Sequence, residues 1–239
     1  MKPTKQHTLW VGVALAAMVV VSARAKDSTD KQIKDAAEQS EKAAKAFDAI
    51  MQVPDKAIPR ELVSRAKAIA VFPRVIKVAF TVGGEGGRGV VSQHTKDGGW
   101  GNPVYLRAGG GSVGPQIGAS STDFFLLLMN DESVEGLLKD KFELGAEAGV
   151  AAGPVGRNAG AGTDALMHAA ILSYSRSRGL FAGVNVKGIV LRPEDDLNRA
   201  VYNKTAKEIL GNQINDDSGA AAGLKAFPQT LSRYTDSQQ

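Results

Sequence analysis

Ile69-Ala70-Val71-Phe72-Pro73-Arg74-Val75-Ile76-Lys77-Val78-Ala79-Phe80-Thr81-Val82 is the stretch from which the fold is read. β-Branched and aromatic residues dominate it, as they do on pleated, half-buried surfaces. It predicts two strands, Ile69 to Phe72 and Val75 to Val82. Gly89 to His94 continues the same texture. The intervening Gly83-Gly84-Glu85-Gly86-Gly87 is expected to be a hairpin turn, because glycine tolerates positive φ. Lys96-Asp97-Gly98-Gly99 is expected to be another. Pro103 to Leu106 and Asp123 to Met129 add two strands, the second apolar on both faces as a central strand should be. Gly109-Gly110-Gly111-Ser112-Val113-Gly114-Pro115 lies between them. It is too glycine-rich for a regular element unless backbones approach closely there.

On the N-terminal side, residues 28–52 carry a helical period. Ile33, Ala36, Ala37, Ala43, Ala44, Phe47, Ile50 and Met51 recur at three- and four-residue steps. Ser28 or Thr29 can cap this helix and Pro54 ends it. A second helix is expected to open at Pro59, whose fixed φ suits a first helical position. On the C-terminal side, Asp131 to Lys141 predicts a short helix and Phe142 to Ala152 returns to β-like spacing. Leu166 to Ser177 and Leu180 to Leu191 predict a hairpin around Arg178-Gly179. Two short helices follow, Pro193 to Tyr202 and Thr205 to Leu210. Residues 214–239 are expected to be a weakly ordered tail. The expectation is one α+β domain over residues 26–213 with its helices at the ends.

Residues 1–25 have the pattern of a cleaved export leader. Lys2 and Lys5 precede an apolar run of 13 residues, Leu9 to Val21, and Ala23-Arg24-Ala25 supplies a small-x-small cleavage site. A spanning helix needs about 20 apolar residues, so the run is short for a permanent anchor. Cleavage removes Lys2, Lys5 and Arg24, taking 29 basic residues to 26 against 25 acidic ones. The apparent basicity is therefore mostly leader, which disfavours a nucleic-acid protein. The absence of cysteine excludes disulfides, thiol catalysis and cysteine-ligated metals.

The glycine motifs point away from nucleotide chemistry. Gly84-Glu85-Gly86-Gly87-Arg88-Gly89 formally matches G-x-G-x-x-G, but the motif works by opening a helix, and Val90-Val91-Ser92-Gln93 reads as strand. Gly153-Pro154-Val155-Gly156-Arg157-Asn158-Ala159-Gly160 lacks the ending of a P-loop. Gly153, Gly156 and Arg157 could still cradle one phosphate; the alternative is a loop shaped by glycine beside a solvated arginine. His94 and His168 have no metal-ligand spacing, so no metal or cofactor is expected. His168 with Ser173 as base and nucleophile would make a hydrolase, but no nucleophile elbow surrounds Ser173. The expectation is a protein that is not an enzyme.

Local charge says more than the total. Lys56, Arg60, Arg65, Lys67, Arg74, Lys77 and Arg88 face only Glu61 and Glu85 between residues 56 and 88, directly after the amphipathic helix. Such a patch can engage anionic headgroups at about 1 kcal/mol per near-surface charge. It can equally be a solvated face beside a packed helix.

Several blocks occur in an order that resembles one family. They are Ile58-Pro59-Arg60-Glu61-Leu62, Ile69-Ala70-Val71-Phe72-Pro73, Gly86-Gly87-Arg88-Gly89-Val90-Val91, Trp100 with Pro103, Gly114-Pro115-Gln116-Ile117-Gly118, Ala151-Ala152-Gly153-Pro154-Val155-Gly156-Arg157, and Ser173-Tyr174-Ser175-Arg176-Ser177-Arg178-Gly179-Leu180-Phe181-Ala182-Gly183. The chain is similar to the SYLF domain, also called the Ysc-type actin-binding domain, over roughly Ala36 to Gly211. The resemblance implies a strongly curved, antiparallel or barrel-like β core. It also implies affinity for anionic phospholipid, helped by an N-terminal amphipathic helix, with actin-filament binding in some fungal members.

Together with the basic segment, this places a lipid contact at Phe47, Ile50 and Met51, with Arg60, Lys67, Arg74 and Lys77 near headgroups. The leader sets that contact at a periplasmic or membrane-associated cell envelope of bacterial type. The competing expectation is an interaction protein that binds another envelope protein through its glycine-rich β surface, Trp100 included.

Overall fold

Period-two alternation in the opening stretch sends its residues to opposite faces of a sheet. Ile69 and Val71 enter one apolar cluster, and Ala68, Ala70 and Phe72 enter another. The computed structural model describes residues 6–53, 57–79, 82–113, 118–156, 169–177, 180–184, 186, 188–211 and 223–235. Within them lie α1 (Gln6–Met51), α2 (Arg60–Arg65), β1 (Ala68–Ala79), β2 (Val82–Gln93), β3 (Val104–Val113) and β4 (Gly118–Leu128). There follow α3 (Asp131–Leu137), β5 (Phe142–Glu143), β6 (Val150–Ala152), β7 (Ile171–Ser177), β8 (Leu180–Gly183) and β9 (Val190–Pro193). The chain closes with α4 (Asp195–Tyr202), α5 (Ala206–Gly211) and α6 (Ala226–Thr235).

The fold is α+β, as expected, with a strongly curled sheet forming a half-barrel. Among the described residues the strand order is β5-β9-β3-β2-β1-β4-β7-β6, with β8 also on β7. Pairing is antiparallel except for β6, which runs parallel to β7. β4 sits between β1 and β7, and Phe125 and Leu127 bury on one face while Leu126 and Leu128 bury on the other. One face carries α1, α2, α4 and α6; the cluster on the other includes residues of α3 and α5.

The structure redraws several expected elements. Gly83 to Gly87 is not a turn: it lies inside β2, paired with β1 and β3. Glycine there answers to close packing, because a Cβ on Gly87 would lie 2.9 Å from Val75 and one on Gly89 would enter the Phe72 ring. Gly109 to Gly111 likewise belongs to β3. Leu180 to Leu191 is not one strand. β8 closes the expected hairpin on β7, whereas β9 crosses to the far side of the sheet beside β3. Residues 226–235 of the expected tail form α6, which buries Phe227, Leu231 and Tyr234. The helix expected over 28–52 ends where predicted, but its backbone helix begins at Gln6.

β1 contains one extra residue. Its register against β4 slips between Phe72 and Val75, at Pro73-Arg74. Arg74 takes a left-handed φ of 58° and its N–H donates to Asp123 Oδ1 at 2.9 Å. A bulge of this kind reverses the facing of everything beyond it. Ile76 consequently shares the face of Val71 and of α1.

Candidate functional site

The residues expected to touch lipid through α1 are in the core. Phe47 and Ile50 are fully buried and Met51 is half-buried against the same cluster. Phe47 meets Phe227 and Tyr234 edge-on, with ring centroids 6.4 and 5.9 Å away. The physical reason is the small side chain at Ala36, Ala43 and Ala46, which lets α1 lie close on the sheet and under α6. While α1 is docked, Phe47 and Ile50 have no surface to offer.

The expected cations are spread over two regions. Arg60 lies over the Tyr234 ring at 5.3 Å, and Lys67 pairs with Asp131 at 3.8 Å. Arg74 and Lys77 lie on the bulged half of β1 beside Ile76. Two strands away, Arg176 grips Asp123 through Nε at 3.1 Å and Nη2 at 2.9 Å. Asp123 thus holds both the bulge backbone and Arg176, and the Arg74 side chain is exposed.

Exposed apolar residues mark the same end of the sheet. Among the described residues, Ile76 and Leu180 are the large hydrophobic side chains left open, at 54% and 76% exposure. Leu180 pairs with Ser177, whose hydroxyl reaches the Ser121 carbonyl, and Ser121 is the cross-strand partner of Ile76. Ile76 and Leu180 thus stand at one end of the sheet on opposite faces: Ile76 shares the α1 face with Arg176, and Leu180, beside Phe181 of that face, shares the other face with Lys77. Leu180 and Arg176 were not selected from sequence, since only strand register brings them beside β1.

The glycine loop is spent on structure. Gly153 N donates to the Ser173 carbonyl at 3.0 Å and Gly156 N to the Ala57 carbonyl at 3.0 Å, so neither N–H is available to a phosphate. The Tyr174 ring occupies the space of a Gly153 side chain, and Gly156 has a φ of 76°. Arg157 lies outside the described residues. Ser173 is buried with its hydroxyl against the Val184 and Ala151 carbonyls, which is no setting for a nucleophile; His168 lies outside the described residues. Trp100 is also buried, its indole N–H donating to Thr235 at 3.3 Å, and so is no part of an open β surface. Among the described residues, no group of three or more His, Cys, Asp or Glu could hold a metal ion.

A second charged feature emerges only from register. Arg88 of β2 pairs with Arg107 of β3, and Arg107 pairs with Arg192 of β9, so three arginines stand in one cross-strand row. Like charges directly opposite one another repel. Glu194, only 7% exposed, relieves two of them: it accepts from Arg88 at 2.9 and 3.0 Å and from Arg107 at 2.7 Å. The hydrogen bond to Glu194 raises the Arg107 pKa above its ordinary value, helped by the carboxylate charge. Arg192 is exposed and has no ion-pair partner among the described residues.

Residues 109–234 match the Ysc84 family, described as Las17-binding protein actin regulator. Protein YSC84 of Saccharomyces cerevisiae is 34% identical over 212 residues, covering 86% of this chain and 45% of that protein. SH3 domain-containing protein PJ696.02 of Schizosaccharomyces pombe is 37% identical over 168 residues, covering 68% of this chain and 39% of that protein. SH3 domain-containing YSC84-like protein 1 of Homo sapiens is 35% identical over 170 residues, covering 69% and 49%. The chain thus spans half or less of the length of these curated relatives.

Proposed function

The chain belongs to the Ysc84, or SYLF, family, and on that footing we propose that its domain binds anionic phospholipid without performing catalysis. The observation that supports this is the bulged end of the sheet, where Ile76 stands open on the face of Arg176 and Leu180 on the opposite face with Lys77, next to the exposed Arg74 of the bulge. A sheet end with an open apolar side chain and a cation on each face suits an interface of acyl chains and acidic headgroups. The proposed contact thereby moves from the buried face of α1 to the sheet. Arg74 and Lys77 keep their proposed role near headgroups, whereas Arg60 and Lys67 are engaged by Tyr234 and Asp131. The leader pattern supports export, which sets this contact at the cell envelope.

Flotation with liposomes tests the proposal. The wild-type chain should float with vesicles containing acidic lipid and be released by salt. Ile76→Ser with Leu180→Ser, and separately Arg74→Gln with Lys77→Gln, should each abolish recovery. Equal recovery on neutral and acidic vesicles, or unaltered recovery of both variants, sinks it. N-terminal sequencing of the fractionated protein tests export, with Lys26 the expected first residue.

A protein partner is the second reading, favoured by one observation. Gly84, Gly86 and Gly111 leave sheet backbone open on the α1 face beyond the helix, and relatives are named for binding another protein. Gly111→Gln, where a side chain meets open space, should then cut partner recovery from envelope extract while leaving flotation intact.

A further inference from the structure

The arginine row borders a cavity of about 590 Å³ between β3, β9 and the start of α4. Arg107 and Arg192 form one wall, and Asp195 and Asp196 line it as well. The floor is the next cross-strand pair, Gly109 with Val190, in which a glycine Cβ would meet nothing closer than the Glu85 carbonyl at 3.9 Å. A ligand can therefore descend to the backbone there.

The cavity is lined by two cations, Arg107 and Arg192, and three carboxylates, Glu194, Asp195 and Asp196, and these are not all paired. Arg88 and Arg107 are tied to Glu194, and one Asp195 oxygen accepts from the Ala206 N–H at 2.9 Å. Arg192 and the exposed Asp196 are held by no hydrogen bond or ion pair among the described residues, although both line the same cavity. Arg192 stands directly opposite Arg107, whose side chain is 65% exposed, so two guanidiniums border the same cavity. Paired guanidiniums match the oxygens of a phosphate. A polyanion would meet repulsion from the two aspartates, and a simple cation would meet repulsion from the arginines. A zwitterion satisfies both.

We infer that this cavity binds the phosphate ester of a small amino alcohol, with the phosphate on Arg107 and Arg192 and the ammonium toward Asp196 and Asp195. Glu194 is a positioning residue that fixes the Arg107 guanidinium from beneath. The inference does not depend on the lipid contact proposed above, because Ile76, Leu180, Arg74 and Lys77 take no part in it.

Calorimetric titration of the full chain with O-phosphoethanolamine tests it. The wild type should bind, and Arg192→Gln, at an exposed site, should weaken binding by about tenfold or more with an unchanged circular dichroism spectrum. Asp196→Asn should weaken phosphoethanolamine but leave inorganic phosphate binding equal or stronger. No binding by the wild type, an Arg192→Gln affinity within about twofold of it, or equal losses for both ligands in Asp196→Asn would overturn the inference. Flotation on vesicles of neutral lipid with phosphatidylethanolamine identifies the source. Recovery that soluble phosphoethanolamine competes away assigns a lipid headgroup, and soluble binding without it assigns a free metabolite; both support the site. Loss of flotation in Arg74→Gln with soluble binding intact separates the two proposals.

Discussion

The phenol of Tyr234 donates a 2.6 Å hydrogen bond to the carboxylate of Asp48, tying the C-terminal helix α6 to the end of α1. Arg233 adds an ion pair to the same carboxylate at 3.5 Å. This bond holds the Tyr234 ring edge-on against Phe47, with centroids 5.9 Å apart.

Tyr234→Phe removes the donor and keeps the ring. The expected cost is about 1 kcal/mol, the usual net worth of such a bond. It should appear as a lower urea midpoint with an unchanged m-value. An unshifted midpoint would show that Arg233 and water replace the bond fully.

Phe47→Ala opens a cavity under α6. A loss of about 3–5 kcal/mol is expected, read as a lowered melting temperature. The variant separates a core residue from a lipid contact. A membrane-facing Phe47 would lose flotation at unchanged stability, the opposite result.

Gly89→Ala and Gly86→Ala make one chemical change three residues apart in β2. At Gly89 the new methyl enters the Phe72 ring, so destabilisation of about 1–3 kcal/mol or more is expected. At Gly86 the nearest atom is the Ala108 carbonyl oxygen at 3.7 Å, an ordinary contact. That variant should be neutral within about 0.5 kcal/mol, since it meets none of the mechanisms behind large losses. Chemical denaturation of the pair checks both.

Asn198 acts as a strand partner made from a side chain. Its Oδ1 accepts from Tyr105 N at 2.9 Å and its Nδ2 donates to the Tyr105 carbonyl at 3.1 Å, fully buried. Asn198→Ala strands a buried N–H, for an expected loss of about 1–3 kcal/mol. Fast amide exchange at Tyr105 would be its local signature.

Alkaline pH should unfold the protein. Burial raises the pKa of Tyr105, Tyr174 and Tyr202 above the ordinary tyrosine value. In the unfolded chain these phenols ionise near about pH 10, whereas the folded state keeps them protonated. Above that pH the unfolded state binds fewer protons, so stability is whole below about 10 and falls as pH rises further. A melting temperature that stays level from about pH 9 to 11 would contradict this.

Alternation and helical period were legible locally. Ile69 to Phe72, the two-faced Asp123 to Met129 and the helix ending at Met51 stand where their periodicity placed them. Glycine misled, because a turn and a close-packed strand both demand it, and only Phe72 and Val75 on the neighbouring strand show which applies at Gly89 and Gly87. For the candidate site, Arg74 and Lys77 were visible as a local excess of charge. Ile76 looked like one more strand hydrophobe, and its exposure depends on the bulge and on where α1 stops covering the sheet.

Sequence by itself determined the α+β class, the family and the amphipathic face of α1, because each rests on residues near one another in the chain. Tertiary structure decided which face of that helix is hidden, since Phe227 and Tyr234 come from nearly 200 residues away. It also decided that Arg88, Arg107 and Arg192 form one row and that Ile76 and Leu180 share one end of the sheet. Those relationships are set by register between distant strands, where a slip of one residue turns every side chain to the other face.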